Sequence, residues 1–227
     1  MWSFYGSKRK IVHKYPVPSY NKIIEPFAGS AQYSLFYFEH DIVLYEKYEV
    51  IYKLWRWLQQ CSPSDILSLP KIQGGDNLDN FSFDCLEAKW LMGFMVQQGV
   101  SSPRKTASKV FGGGKIHETI EQNKKRIAGD LHKIKHWKIF LGSYENISNE
   151  QCTWFIDPPY QHGGEYYHSS VSNKHLDFKS LGDWCKSRLG QVMVCENSKA
   201  DWMDFKYFSD LHGSKNRTKE VMWYREI

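Results

Sequence analysis

Asp157-Pro158-Pro159-Tyr160 places a carboxylate, two prolines and an aromatic ring at consecutive positions. It follows the apolar run Thr153-Trp154-Phe155-Ile156, so a buried strand is expected to deliver these groups into a loop. Proline lacks an amide hydrogen and has a restricted φ, which ends strand pairing and stiffens the turn. The loop would then hold the Asp157 carboxylate, the Pro158 carbonyl and the face of Tyr160 in fixed relation. A planar group with an exocyclic amine suits that set: the two oxygens accept its N–H bonds while the ring stacks on it. A plain strand end with a proline turn has the same sequence, so the tetrapeptide alone leaves both readings open.

A second candidate turn is Glu25-Pro26-Phe27-Ala28-Gly29, after Lys22-Ile23-Ile24 and before a helix-like stretch from Gln32 to His40. A glycine at a strand-to-helix turn lets a ligand approach the backbone closely, as in nucleotide-binding turns. With Ala31 in the place of a second glycine, it is a poor dinucleotide fingerprint. Glu46 ends the next apolar run, Ile42-Val43-Leu44-Tyr45. An acid there can hydrogen-bond ribose hydroxyls or simply face solvent at a helix start.

The elements that must position these residues follow from periodicity. Short apolar runs alternate with helical stretches such as Tyr48 to Gln60, which points to a doubly wound, mostly parallel α/β sheet. From Cys61 to Lys135 the pattern is helical and loop-rich. Strands resume at Trp137 to Leu141, Thr153 to Ile156 and Gln191 to Cys195, with a crossover helix from Leu176 to Arg188. Phe205 to Leu211 and Lys219 to Arg225, around the turn Gly213-Ser214-Lys215-Asn216, read as an antiparallel hairpin. The expected organisation is a catalytic domain from residues 1–60 and 137–227, with 61–136 as a helical, basic insertion.

The 227 residues are 41% hydrophobic and 24% charged, ordinary values for a globular protein. The aromatic share of 16% is high and compatible with a surface on which bases stack. The formal charge of +5 is a mild pointer to polyanions. It is concentrated: ten Lys or Arg between residues 104 and 138 face only Glu118, Glu121 and Asp130. Arg104, Lys105, Lys109 and Lys115 lie in irregular segments able to reach a groove, whereas Lys124 to Arg126 fit a solvated helix face equally well. Five widely spaced cysteines without a C-x-x-C pair read as reduced core residues. His162, His168 and His175 lack a metal-ligand partner set, so no metal is expected. They lie in a Gly-, Ser- and His-rich stretch, Gln161 to His175, expected to be a flexible loop over the site. Without an apolar leader or membrane-length run, a cytoplasmic, monomeric protein is expected.

In order along the chain stand Tyr5-Gly6-Ser7-Lys8, Glu25-Pro26-Phe27-Ala28-Gly29, Glu46 and Asp157-Pro158-Pro159-Tyr160. This series resembles the Dam-like (D12) class of S-adenosylmethionine-dependent DNA adenine-N6 methyltransferases. That class opens with aromatic-x-Gly-Gly-Lys, continues with Asp/Glu-Pro-Phe-x-Gly and closes its catalytic loop with Asp-Pro-Pro-Tyr. The resemblance covers residues 1–60 and 137–227, and 61–136 poorly. It implies a Rossmann-like class I methyltransferase sheet and S-adenosylmethionine as cofactor. Lys8 with Phe4 and Tyr5 would help hold that cofactor, Glu25 and the Pro26–Gly29 turn its methionine end, and Glu46 its ribose. Asp157 would touch both cofactor and target amine. Where the family has Asp-Phe against the cofactor adenine, this chain reads Ser143-Tyr144, which can hydrogen-bond but carries no charge. Ser7 replaces the second glycine of the opening motif.

The implied partner is double-stranded DNA, its target adenine flipped out of the stack onto Tyr160. Transfer to cytosine C5 would need a cysteine nucleophile in a suitable loop, and none is present. Two other readings fit the same motifs. One is a methyltransferase for RNA adenine or a protein glutamine amide, although such relatives carry Asn where Asp157 stands. The other is a DNA-binding relative without catalysis.

Overall fold

Apolar runs at Ile23-Ile24, Ile42-Val43-Leu44, Trp154-Phe155-Ile156 and Val192-Met193-Val194 are buried on both sides of a central sheet. Continuous rather than alternating hydrophobicity is what strands covered on both faces require. The structure, a computed structural model, describes residues 1–109, 116–212 and 217–226. In chain order the elements are β1 (Lys22–Glu25), α1 (Gln32–Phe36), β2 (Asp41–Glu46), α2 (Glu49–Gln60), α3 (Pro63–Leu67), α4 (Leu86–Met95) and α5 (Ile116–Asp130). They continue with β3 (Lys138–Leu141), β4 (Cys152–Ile156), α6 (Phe178–Ser187), β5 (Gly190–Asn197), β6 (Lys206–His212) and β7 (Arg217–Arg225).

The chain divides into two units, Met1–Ser7 with Glu49–His136, and Lys8–Tyr48 with Trp137–Ile227. The expected insertion, 61–136, falls in the first, which also takes in Met1–Ser7 and α2. In that unit, α2 turns Ile51, Leu54, Trp55 and Leu58 inward, and Trp2 packs on Trp55 and Phe94 at 4.8 and 6.0 Å. α3 begins with Pro63 behind a capping box between Ser62 and Asp65.

The second unit is an α/β sheet in the order β3-β2-β1-β4-β5-β7-β6. β3, β2, β1, β4 and β5 run parallel, and β7 runs antiparallel to both β5 and β6. The mostly parallel sheet with a closing antiparallel hairpin is thus as expected, while the hairpin turn, 213–216, lies outside the described residues. One face packs Ile24, Trp154, Ile156, Val192 and Val194 against Leu181 and Cys185 of α6. On the other, Phe155 stacks on Tyr33 of α1 at 4.4 Å and meets Tyr15 at 5.0 Å. α1 ends at Phe36 rather than His40. Asp41 already pairs with Lys22, so residues 37–40 must turn the chain into β2. Gly190 has φ of +91°, and a Cβ there would lie 2.4 Å from the Cys152 carbonyl, which reserves the start of β5 for glycine.

Among the described residues no helix is long and apolar enough to cross a membrane. The five cysteines form no disulfide, and four of them are buried.

Candidate active site

β1 leads to β2 on one side of the sheet, and β4 to β5 on the other, so strand order reverses between β1 and β4. In doubly wound sheets the crevice beyond the carboxyl ends of the strands at such a switch point is where ligands bind. Glu25 closes β1 and Asp157 follows β4 at this point.

The turn after β1 is held by its backbone. Ala28 N–H donates to the Tyr45 carbonyl at 3.0 Å, and Gly29 and Ala31 take left-handed φ of 46° and 43°. Glycine adopts that conformation readily; alanine does so at a cost, a mark of a constrained turn. Gly29 N–H donates to Glu46 Oε2 at 2.9 Å, and Tyr48 N–H to Oε1 at 2.8 Å, so Glu46 ties the end of β2 to this turn. Burial raises the Glu46 pKa against the pull of those amides. Glu25 is buried and accepts from the amide and hydroxyl of Ser34 at 2.8 and 2.6 Å. Burial outweighs these bonds and pushes its pKa up to about 8.

Lys8 enters the crevice from the segment before β1. Its side chain is 4% exposed, with the ammonium 2.7 Å from Asp157 Oδ1 and 3.7 Å from Glu220 Oε1. Burial alone would pull the Lys8 pKa down. Asp157 and Glu220 reverse this and keep the ammonium charged well above the ordinary lysine range. For Asp157 burial dominates and raises the pKa, with Lys8 opposing. The same ammonium stands 4.8 Å from the centre of the Tyr160 ring. One face of that ring is therefore set against a cation.

The loop beyond Tyr160 is anchored. Gln161 N–H donates to Glu196 Oε1 at 2.6 Å, and Asn173 Nδ2 to the Gln161 carbonyl at 2.9 Å. Gly164 is buried where a Cβ would come 2.8 Å from Asn173 and 3.0 Å from the Pro159 carbonyl carbon. The stretch 161–175, expected to be a loop over the site, has local order. It winds into three short 3-10 turns, and its His168 stacks on Tyr48 at 4.6 Å.

The structure therefore gathers Lys8, the Glu25–Gly29 turn, Glu46 and Asp157–Tyr160 in one unit. Tyr5 belongs to the other, where its amide donates to Val100. Ser143 donates its hydroxyl to Glu145, two residues on, at 2.7 Å. Tyr144 is 5% exposed, its ring between Phe27 and Trp184 in the core. Sequence reasoning missed Glu196 and Glu220, both fully buried. Glu196 also accepts from Trp202 Nε1 at 3.0 Å, and burial pushes its pKa up to about 7. Among the described residues no group of His, Cys, Asp or Glu is placed to hold a metal ion.

In the first unit, Arg104, Lys105 and Lys109 are exposed on a segment paired with residues 75–78 through Lys105 O, Ala107 N and Ala107 O. Lys115 lies outside the described residues. The basic run is less available than its charge implies. Lys124 is fully buried, donating to the Leu69 carbonyl and pairing with Glu121, while Lys135 caps the Gln59 and Cys61 carbonyls.

No family model matches the chain, and no curated protein matches it.

Proposed function

We propose that the protein is an S-adenosylmethionine-dependent methyltransferase that acts on the N6 amine of adenine in double-stranded DNA. The observation that carries the reading is the Lys8–Asp157 ion pair at the switch point, with the Tyr160 ring beneath the same ammonium. Strand order supports it as well. β3-β2-β1-β4-β5 is the arrangement of nucleotide-binding doubly wound sheets, and a class I methyltransferase sheet is the finer form of that reading.

The residues present fit such a cofactor. Asp157 and Glu220 share the single Lys8 ammonium, so the crevice favours a further cation, and Glu220 Oε2 is buried without a donor among the described residues. The Glu25–Gly29 turn and Glu46 would hold the nucleoside and methionine parts, and Lys8 would fix Asp157. When bound, S-adenosylmethionine supplies a methyl group on a positively charged sulfur, open to in-line displacement.

The chain's own part is to prepare the amine. The N6 lone pair is delocalised into the ring, which makes the nitrogen a weak nucleophile. Asp157 and the Pro158 carbonyl accept its two hydrogens and favour a pyramidal nitrogen whose lone pair points out of the plane. Tyr160 stacks on the flipped base, and Asp157 takes the proton that the amine loses as the N–CH3 bond forms. Holding both reactants in one dry crevice supplies much of the rate.

The test is transfer of tritiated methyl from the cofactor to unmethylated DNA, offered beside RNA and protein, followed by nucleoside analysis. Label in N6-methyladenine of DNA is the expected result. Label confined to cytosine, RNA or protein would overturn the reading.

A further inference from the structure

β7 runs against its neighbours, so its early residues reach the edge where β4 and β5 end. Glu220 there pairs in register with Asn197 at the end of β5. Its side chain is fully buried. Oε1 accepts the Tyr160 hydroxyl at 2.7 Å and the Tyr15 hydroxyl at 2.8 Å, and lies 3.7 Å from the Lys8 ammonium. Oε2 is buried with no donor among the described residues.

We propose that Glu220 is a positioning residue of the transfer site, anchoring the Tyr160 hydroxyl and, through the shared Lys8 ammonium, setting the charge that Asp157 carries. The activity arm of this inference rests on the methyl-transfer reading; its titration arm does not. A tyrosine held only by its ring can rock about its side-chain torsions, whereas a hydroxyl bonded to a fixed carboxylate pins the plane on which a base must stack. Tyr15 is itself wedged against Phe208 and Phe155 at 4.5 and 5.0 Å, so Glu220 is also held by a packed ring.

The charge argument is separate. Lys8 is one cation between two carboxylates, and in a dry site one negative charge is left uncompensated. Each carboxylate then raises the proton affinity of the other. Glu25, Glu196, Cys195, Tyr15 and the Tyr160 hydroxyl also face Asp157, and Tyr15, Tyr160 and Cys195 face Glu220. Glu220 and Asp157 both approach the Lys8 ammonium directly, at 3.7 and 2.7 Å. An ionised Glu220 thus keeps Asp157 a better proton acceptor, the property required of the group that receives the amine proton.

Carbon-13 NMR of labelled Asp and Glu carboxyls, titrated in wild type, Glu220→Gln and Tyr160→Phe, tests both parts. In Glu220→Gln the Asp157 titration should move down by on the order of one pH unit; an unmoved Asp157 would overturn the charge coupling. Tyr160→Phe removes a donor but keeps the ring, so the Glu220 titration should move up, and no movement would overturn the anchoring. This second variant keeps the question answerable if Glu220→Gln does not fold. In methyl transfer, Glu220→Gln should lose about tenfold in kcat, with the acid limb of the pH profile moved down. Unchanged kcat and profile would overturn the inference. A wild-type protein that transfers no methyl group would overturn the functional reading alone.

Discussion

The Lys8 ammonium and the Asp157 carboxylate meet at 2.7 Å, both largely withdrawn from solvent, joining the segment before β1 to the loop after β4. A buried ion pair of this kind adds little net stability over an apolar pair of the same shape. Removing one partner, however, strands the other.

Lys8→Met should therefore destabilise the protein by about 3 kcal/mol at neutral pH, measured by urea unfolding. The sign with pH follows from the raised Lys8 pKa and from the carboxylates it serves. The wild-type advantage is present at neutral pH, where Lys8 is charged, and is lost as alkaline pH removes that charge. It also narrows in acid, where Asp157 and Glu220 take up protons and no longer need a cation. A penalty equal at pH 5 and pH 7.5 would contradict this.

Asp157→Ala should abolish methyl transfer, by at least about a thousandfold, while leaving the far-UV circular dichroism intact. Near-wild-type turnover would remove Asp157 from its assigned role.

Glu196 holds its proton in the folded state up to about pH 7, against about 4.5 for an ordinary glutamate. A folded pKa raised in this way makes stability full at low pH and lets it fall as pH rises from about 4.5 to about 7. Glu196→Gln cannot ionise, so its stability relative to wild type should improve across that window by on the order of 2 kcal/mol. Thermal melts of the two proteins at pH 5 and pH 7.5 measure the difference.

Gly164→Ala should act on the site more than on the fold. Its Cβ would press on Asn173 and on the Pro159 backbone, moving the loop that carries Pro158 and Tyr160. A loss of about tenfold or more in kcat, with Tm lowered by only a few degrees, is the expected split. A Cβ accepted without loss of rate would show the loop to be less constrained than its packing.

Arg104, Lys105 and Lys109, changed together to Ala, should weaken DNA binding uniformly across sequences. The slope of log K against log salt should become shallower by roughly 3 if each neutralises one phosphate. Lys124→Ala should instead unfold part of the first unit, because that ammonium satisfies the Leu69 carbonyl from within.

Much of this arrangement is legible in the sequence because β1, β2, β4 and β5 are largely buried on both faces and so appear as unbroken apolar runs. The Asp157 loop and the Glu25 turn announce themselves through proline and glycine, whose backbone limits are local. Glu220 is silent for the opposite reason. In sequence it is one charged position in a hairpin strand, and only antiparallel insertion between β5 and β6 brings it beside Tyr160. Lys124 likewise reads as part of a solvated basic face, and its burial depends on α3 and α5 meeting. The compact winding of 161–175 hides behind a composition suited to loose loops, because it rests on contacts such as Gly164 on Pro159.

β6 and β7 step out of simple register between Tyr207 and Ser209. A strand advances about 3.3 Å per residue, so a slip of two would carry the Glu220 carboxylate about 7 Å from Tyr15 and Tyr160. A slip of one would turn it to the opposite face of the sheet. The hairpin thus works as a vernier on an otherwise fixed frame. Single-residue insertions or deletions within β6 or β7 would detune the crevice while the five parallel strands keep their places. Variation in that hairpin would reshape the crevice without any change in Asp157-Pro158-Pro159-Tyr160.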